Sequence, residues 1–296
     1  MATGHMYNAA SIVFTAIGPL MSKFGVIHIS PGKAALVNML TVIVASFIWG
    51  LISRNKVVFY VAKDVMWMAL FNAIGVIALF ISISLLSPVM IGFLGRLYTI
   101  FAVILAVLIL KERMTKKEVV FIAVALLGTF LFVGEGGGES ALLIGVITAI
   151  IYTFFFALTN IYIKKTQTKD RNANAILFTN NVIALGFVLV YVLFTDDLST
   201  GFRWQGAFFI VLSSLFTGFV GTLLFFKALQ YMRFSIANVT RAFSPVLLAV
   251  ISFPFFPIAI TAQNIVGAVI LLGSIVLLAM EDQKTEKKKD EKSPAT

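Results

Sequence analysis

Apolar positions in this chain fall in continuous runs of about twenty residues, and neither the alternation of a half-buried strand nor the narrow stripe of a soluble amphipathic helix recurs along it. The run that organises the rest is SPVMIGFLGRLYTIFAVILAVLILKERMTKK, Ser87 to Lys117. A hydrocarbon core is crossed by about 20 apolar residues of helix, so this run predicts one membrane-spanning helix. It holds a single arginine, Arg96, and ends in Lys111, Arg113, Lys116 and Lys117. An arginine near the bilayer centre costs roughly 2.5 to 3.5 kcal/mol, so Arg96 is expected to face protein or water. Read in the same way, the chain predicts ten spans, at about 7–27, 34–53, 65–86, 88–110, 118–134, 141–163, 175–195, 205–229, 234–256 and 262–280. Residues 1–6, MATGHM, resemble a cloning remnant, and 135–140 form a Gly-rich linker. Residues 281–296 are highly charged and are expected to be disordered.

The pattern around Arg96 returns 145 residues later. Arg241 lies in a second apolar run, NVTRAFSPVLLAVISF, with Phe243 and Ser244 where Tyr98 and Thr99 follow Arg96. AVALLGT at 123–129 answers AVILLGS at 268–274, so Arg96 to Gly128 and Arg241 to Gly273 are the same 32-residue interval. The chain therefore reads as two homologous halves, 7–134 and 141–280. Charge gives their orientation. With both termini inside, the inner segments hold seventeen Lys and Arg: Arg54, Lys56, Lys63, the four at 111–117, Lys164, Lys165, Lys169, Arg171, Arg233 and five in the tail. The outer segments hold three, Lys23, Lys33 and Arg203; Arg96, Lys227 and Arg241 lie within spans and complete the 23. Positive loops stay on the cytoplasmic side, so both termini are expected there. Five helices per half is odd, and the halves then enter the membrane in opposite senses, an inverted repeat. Such repeats characterise secondary transporters, whose halves exchange conformations about a central site.

Composition supports this class. The 296 residues are 60% hydrophobic and 12% charged, against about 25% charged in a soluble globule. The fold class expected is all-α, a polytopic membrane protein of ten transmembrane helices in a 5+5 inverted repeat, located in the plasma membrane. There is no cysteine, hence no disulfide framework and no thiolate metal site. The net charge of +10 is accounted for by loops and tail, and no nucleic-acid partner is expected.

The junction LAVLILKERMTKKE and the glycine near the end of the following helix, Gly128, together with Ser244-Pro245 and Gly273 in the second half, resemble the EamA branch of the drug/metabolite transporter superfamily. The resemblance spans residues 8 to 280. It implies ten helices around a cavity lined mainly by helices 1, 3, 4, 6, 8 and 9, with 5 and 10 peripheral. Two departures stand out: PFFPIAIT replaces the acidic residue usual after the ninth helix, and Ile100 stands where the second half has Pro245.

Within the spans, the candidate chemistry is polar and cationic. At helical spacing from Arg96 lie Gly92 and Thr99, and from Arg241 lie Asn238, Ser244 and Ala237. The first span carries Ser11, Thr15, Gly18 and Ser22; the sixth carries Thr148, Tyr152, Phe155 and Thr159 at the same steps. Asn72, Gly75 and Ser82 add to the third, Asn38 to the second, and Asn180 and Asn181 to the seventh. Such residues also serve as interhelical hydrogen bonds, worth about 0.6 kcal/mol each. Lys23 and Lys227 read as interfacial or snorkelling, and Pro19 and Pro245 as kinks. The substrate-binding set expected is Arg96, Arg241, Tyr98, Thr99, Asn238, Ser244, Tyr152, Thr15 and Asn72, with Phe93 and Phe155 adding to an apolar wall. No Asp, Glu or His sits at a helix centre, so no catalytic group, metal or cofactor is expected. The function expected is secondary transport of a small organic metabolite bearing a carboxylate or phosphate, by alternating access. Export of amino acids or amphiphilic drugs, and a non-transporting receptor or channel, are the alternatives. The partners expected are the solute, the bilayer and a second copy in a homodimer.

Overall fold

Local signals set the helix starts. Ser30-Pro31 and Ser87-Pro88 each place an extended residue before a proline in the first turn, where the missing N–H costs nothing. Ser87 also accepts a hydrogen bond from the Met90 N–H at 3.3 Å, and Asn172 accepts one from Asn174 at 2.9 Å. A computed structural model describes residues 2–53, 59–60, 62–111, 115–133, 139–166, 172–195, 201–231, 237, 244–256 and 261–292. The helices are α1 (Ala2–Val26), α2 (Pro31–Ile52), α3 (Lys63–Leu85), α4 (Pro88–Leu94), α5 (Leu97–Leu110), α6 (Lys116–Val133), α7 (Glu139–Thr166), α8 (Ala173–Phe194), α9 (Trp204–Ser213), α10 (Thr222–Tyr231), α11 (Ser244–Ser252) and α12 (Ala262–Lys292). A π-helical segment, Ser214–Gly221, joins α9 to α10. Among the described residues there is no strand.

Seven stretches are long and apolar enough to cross a bilayer, with α4 and α5 counted together as Pro88–Leu110 and α9 to α10 as Trp204–Tyr231. The other three predicted spans correspond to α6, to α11, and to α12, whose apolar part is Ala262–Ser274. The outside of the bundle is apolar: Val44, Leu51, Leu193 and Phe194 are 55%, 64%, 66% and 87% exposed. A surface of this kind is solvated by lipid, and the protein is a helical membrane protein.

The halves interlock. The α1 helix packs along α9, the π segment and α10, while α7 packs along α3; α5 packs on α7, and α11 on α1. Exchanging the first half for the second turns each of these contacts into its partner. The α2–α8, α4–α11 and α6–α12 contacts map onto themselves. The inside of the bundle is thus built on an approximate two-fold relation between the halves.

Three features depart from the hydropathy pattern. The fourth predicted span is two helices, broken at Gly95–Arg96. The eighth carries the π segment. The last helix continues to Lys292, where a disordered tail is expected; a helix already nucleated by packing propagates readily through Lys, Glu and Gln. The first helix likewise begins at Ala2, within the stretch read as a cloning remnant.

Candidate functional site

A cavity of about 300 Å³ opens at the centre of the bundle. Its walls come from α1, α2, α3, α4, α5, α7, α8, the π segment, α10 and α11; among the described residues, none of α6 or α12 lines it. Arg96, Tyr98, Thr99, Tyr152, Thr15, Asn72 and Ser244 all reach this one space. Arg241 and Asn238 lie outside the described residues.

Arg96 is placed by a break in the backbone. The helix α4 ends at Leu94, and the next hydrogen bonds run three residues back instead of four: Arg96 N to Phe93 O at 2.9 Å, Tyr98 N to Gly95 O at 3.2 Å, and Thr99 N to Arg96 O at 2.9 Å. One tight turn of this kind inside a span reorients the side chains on either side of it. Gly95 is required by its neighbours, since a Cβ there would stand 2.9 Å from Ile91 O and 3.0 Å from the Tyr152 hydroxyl. Tyr152 donates to Ile91 O at 3.3 Å, and the Arg96 charge acts on the Tyr152 hydroxyl. Beyond the break, Tyr98 accepts a hydrogen bond from Asn160 at 2.9 Å. The guanidinium therefore sits in a polar collar made by α4, α5 and α7, and no Asp or Glu lines the cavity among the described residues.

The described lining contributed by α1, α2 and the α9–α10 span is neutral. Ser213 donates to Gly18 O at 2.9 Å and accepts from Ser22 at 2.7 Å, tying α1 to α9. Asn38 donates to Ser214 at 2.8 Å, and Thr217 to Phe14 O at 3.4 Å. Thr222 Oγ1 donates to Thr217 O, five residues back, at 2.9 Å. The Thr222 bond falls on a carbonyl of the π segment, while the others tie this span to α1 and α2.

Several residues fall elsewhere than the sequence suggests. On α7 the cavity face is Tyr152, Phe156, Thr159 and Ile163, so Phe156 replaces Phe155, and Thr148 lies off the cavity. Phe155 packs on Phe71 and Phe154, and Phe93 is buried in the core. Ser82 is an interhelical tie, donating to Gly145 O at 3.0 Å. Asn38, Asn180 and Asn181, whose role the sequence leaves open, line the cavity. Asn180 is 3% exposed, and its Oδ1 has no protein partner among the described residues. The residues that precede Pro245 on its span, 238–243, lie outside the described residues, and with them the kink expected there. Lys227 lies over the Tyr7 ring at 5.8 Å, outside the cavity lining. Lys23 donates to three carbonyls, of Ile83, Ser84 and Leu86, and caps the end of α3.

A sequence model of the EamA-like transporter family matches residues 2–134 and again residues 143–280. No curated protein matches the chain. A solved structure described only as "Crystal structure of protein" is similar over 97% of this chain and 99% of its own, at 12% identity and a TM-score of 0.70. At that identity the likeness speaks to the fold.

Proposed function

The chain belongs to the EamA-like transporter family over both halves, and from that premise we propose that it is a secondary transporter of a small organic solute bearing a carboxylate or phosphate. It works by alternating access through ten spans, with both termini in the cytoplasm. The observation that carries the reading is Arg96, delivered by a helix break into a central cavity whose described lining holds no acid. The planar guanidinium fork suits two-point contact with carboxylate or phosphate. Phe80, Phe156, Phe225 and Phe226 line the same space and favour a solute with an apolar body. That aromatic wall also supports the second reading, export of amino acids or amphiphilic drugs.

The experiment is a thermal-shift screen of the purified protein against organic anions, amino acids and cationic amphiphiles, followed by counterflow in proteoliposomes for each hit. Stabilisation and saturable counterflow by organic anions are expected. Stabilisation only by cations, or ion conductance without counterflow, overturns the reading.

A further inference from the structure

Several side chains of the cavity lining spend their hydrogen-bond donors on the protein and leave their acceptors over. Asn181 Nδ2 donates to Leu177 O at 2.8 Å; a carbonyl only accepts, so the nitrogen is fixed there and Oδ1 is the end of the amide left over. Asn38 Nδ2 donates to Ser214 Oγ at 2.8 Å, and the Ser214 proton goes to Ile210 O at 2.6 Å, so the sense of that bond is fixed as well. Asn180 is 3% exposed, and its Oδ1 has no protein partner among the described residues. Among the described residues no donor reaches any of these three oxygens. Hydroxyls of the lining follow the same rule: Thr159, Ser213, Thr217 and Thr222 each donate to a backbone carbonyl. A hydroxyl has one proton and two lone pairs, so what such a group keeps for an occupant is an acceptor.

The three asparagines stand together. The α2 helix packs along α8, and Asn174 Nδ2 of α8 donates to Ser46 O of α2 at 2.9 Å. These helices run in opposite senses in the ten-span reading, so about two turns on from that contact Asn38 stands level with Asn181. Asn38, Asn180 and Asn181 all line the central cavity, which Arg96 reaches from the break between α4 and α5. A buried amide oxygen that meets no donor carries its full desolvation cost, and an occupant that brings donors removes it.

We propose that Asn38, Asn180 and Asn181 accept hydrogen bonds from hydroxyl groups of the solute, and that the transported anion is a hydroxylated one, a hydroxy acid or a hydroxylated phosphate ester. The inference rests on the anion reading above, in which Arg96 takes the carboxylate or phosphate, and adds what the rest of the solute carries. An ammonium would donate to the same oxygens, but it would leave water in a cavity that holds the Arg96 charge, with no carboxylate in the described lining to offset its desolvation. A neutral hydroxyl asks only for an acceptor.

The test measures dissociation constants of the purified full chain for probes matched in skeleton. 3-Phenylpropionate, 3-phenyllactate and phenylalanine carry hydrogen, hydroxyl or ammonium beside the carboxylate, and propyl phosphate is set against glycerol 1-phosphate. 3-Phenyllactate should bind about 3- to 10-fold tighter than 3-phenylpropionate, the worth of one neutral hydrogen bond, and glycerol 1-phosphate should exceed propyl phosphate by at least as much. Asn180→Leu, which keeps the branched shape and deletes the amide, should lower these ratios by about threefold. A ratio between matched probes does not move with a merely structural loss. If Asn180→Leu does not fold, Asn180→Ala takes its place, and the ratios of the unaltered protein are a test without any variant. Equal affinities within each pair, ratios unchanged in the variant, or tighter binding of phenylalanine than of 3-phenyllactate each overturn the proposal. With 3-phenylpropionate or propyl phosphate still bound, those outcomes leave the anion reading in place. If none of the probes binds, the anion reading fails and the asparagine site with it.

Discussion

The two walls of the cavity solve one problem differently. In the first half the fourth span breaks at Gly95–Arg96, and the tight turn presents a cation. Among the described residues of the second half the irregular span is the eighth, where hydroxyls in and beside the π segment bond to neighbouring carbonyls. The halves share a packing plan in which the principal cross-half contacts have counterparts. The positions of the ninth span that answer Gly95 and Arg96 lie outside the described residues. Of the two described irregular spans, one brings a cation to the cavity, and the other is tied to α1 and α2.

The largest expected effect removes that difference. Arg96→Ala should weaken binding of a transported anion by on the order of 10- to 100-fold, the loss of one charge-assisted contact of about 1.5 to 3 kcal/mol. Arg96→Lys should fall between, since it keeps charge and loses the fork. Isotherms on folded protein decide it. Unchanged dissociation constants with a lowered melting temperature would make Arg96 architecture and erase the contrast between the walls.

A second test sets Gly128 against Gly273, equivalent in the repeat yet different in surroundings. A Cβ on Gly128 would stand 2.6 Å from Leu271 N and 2.9 Å from Gly267 O, backbone of α12 that cannot yield without moving the helix. A Cβ on Gly273 meets nothing within 4 Å. Gly128→Ala should therefore destabilise by about 1 to 3 kcal/mol, the usual cost of overpacking. Gly273→Ala should be neutral or stabilising by up to about 1 kcal/mol, through helix propensity. Melting curves that fall equally for both would show that the two-fold relation of the α6–α12 contact holds in detail at these glycines too.

Ser213→Ala probes the neutral wall. It removes the bridge from α9 to Gly18 and Ser22 on α1, so a stability loss of about 0.6 to 1.7 kcal/mol is expected, with anion affinity kept within a few fold. An affinity loss as large as that of Arg96→Ala would mean that both walls bind the solute.

Hydropathy runs and the repeat were legible because each is a property of the chain read in one dimension. The seven described site residues converge on one cavity because helical spacing carries their angular position. Precision ends at about 100° of rotation per residue, which separates Phe156 from Phe155. The break at Arg96 left no proline in the sequence, and isolated glycines are common in unbroken membrane helices. The π winding is accompanied by donors from other helices: Ser11 donates to Gly221 O at 2.7 Å, a partner 210 residues away. The carbonyls that Lys23 meets belong to the end of another helix, and no pattern local to α1 announces them.

The smallest expected effect concerns acids. The proposed anion site relies on Arg96 and on no carboxylate among the described lining. Sequence places every Asp and Glu outside the span centres. Asp64 is exposed in the first turn of α3, where it complements the helix dipole. Asp64→Asn, Glu112→Gln and Glu118→Gln should each leave anion affinity within a few fold, because the sequence sets all three at span ends, where a charge acts on the span centre through a screened path. The same three variants should leave any proton dependence of counterflow unchanged, since none of them holds a proton beside the solute. If one amide abolishes binding or proton dependence, a carboxylate from a span end reaches the cavity in another conformation. Arg96 would then pair with protein in one state and with solute in the other, and the contrast between the walls would become a contrast between states.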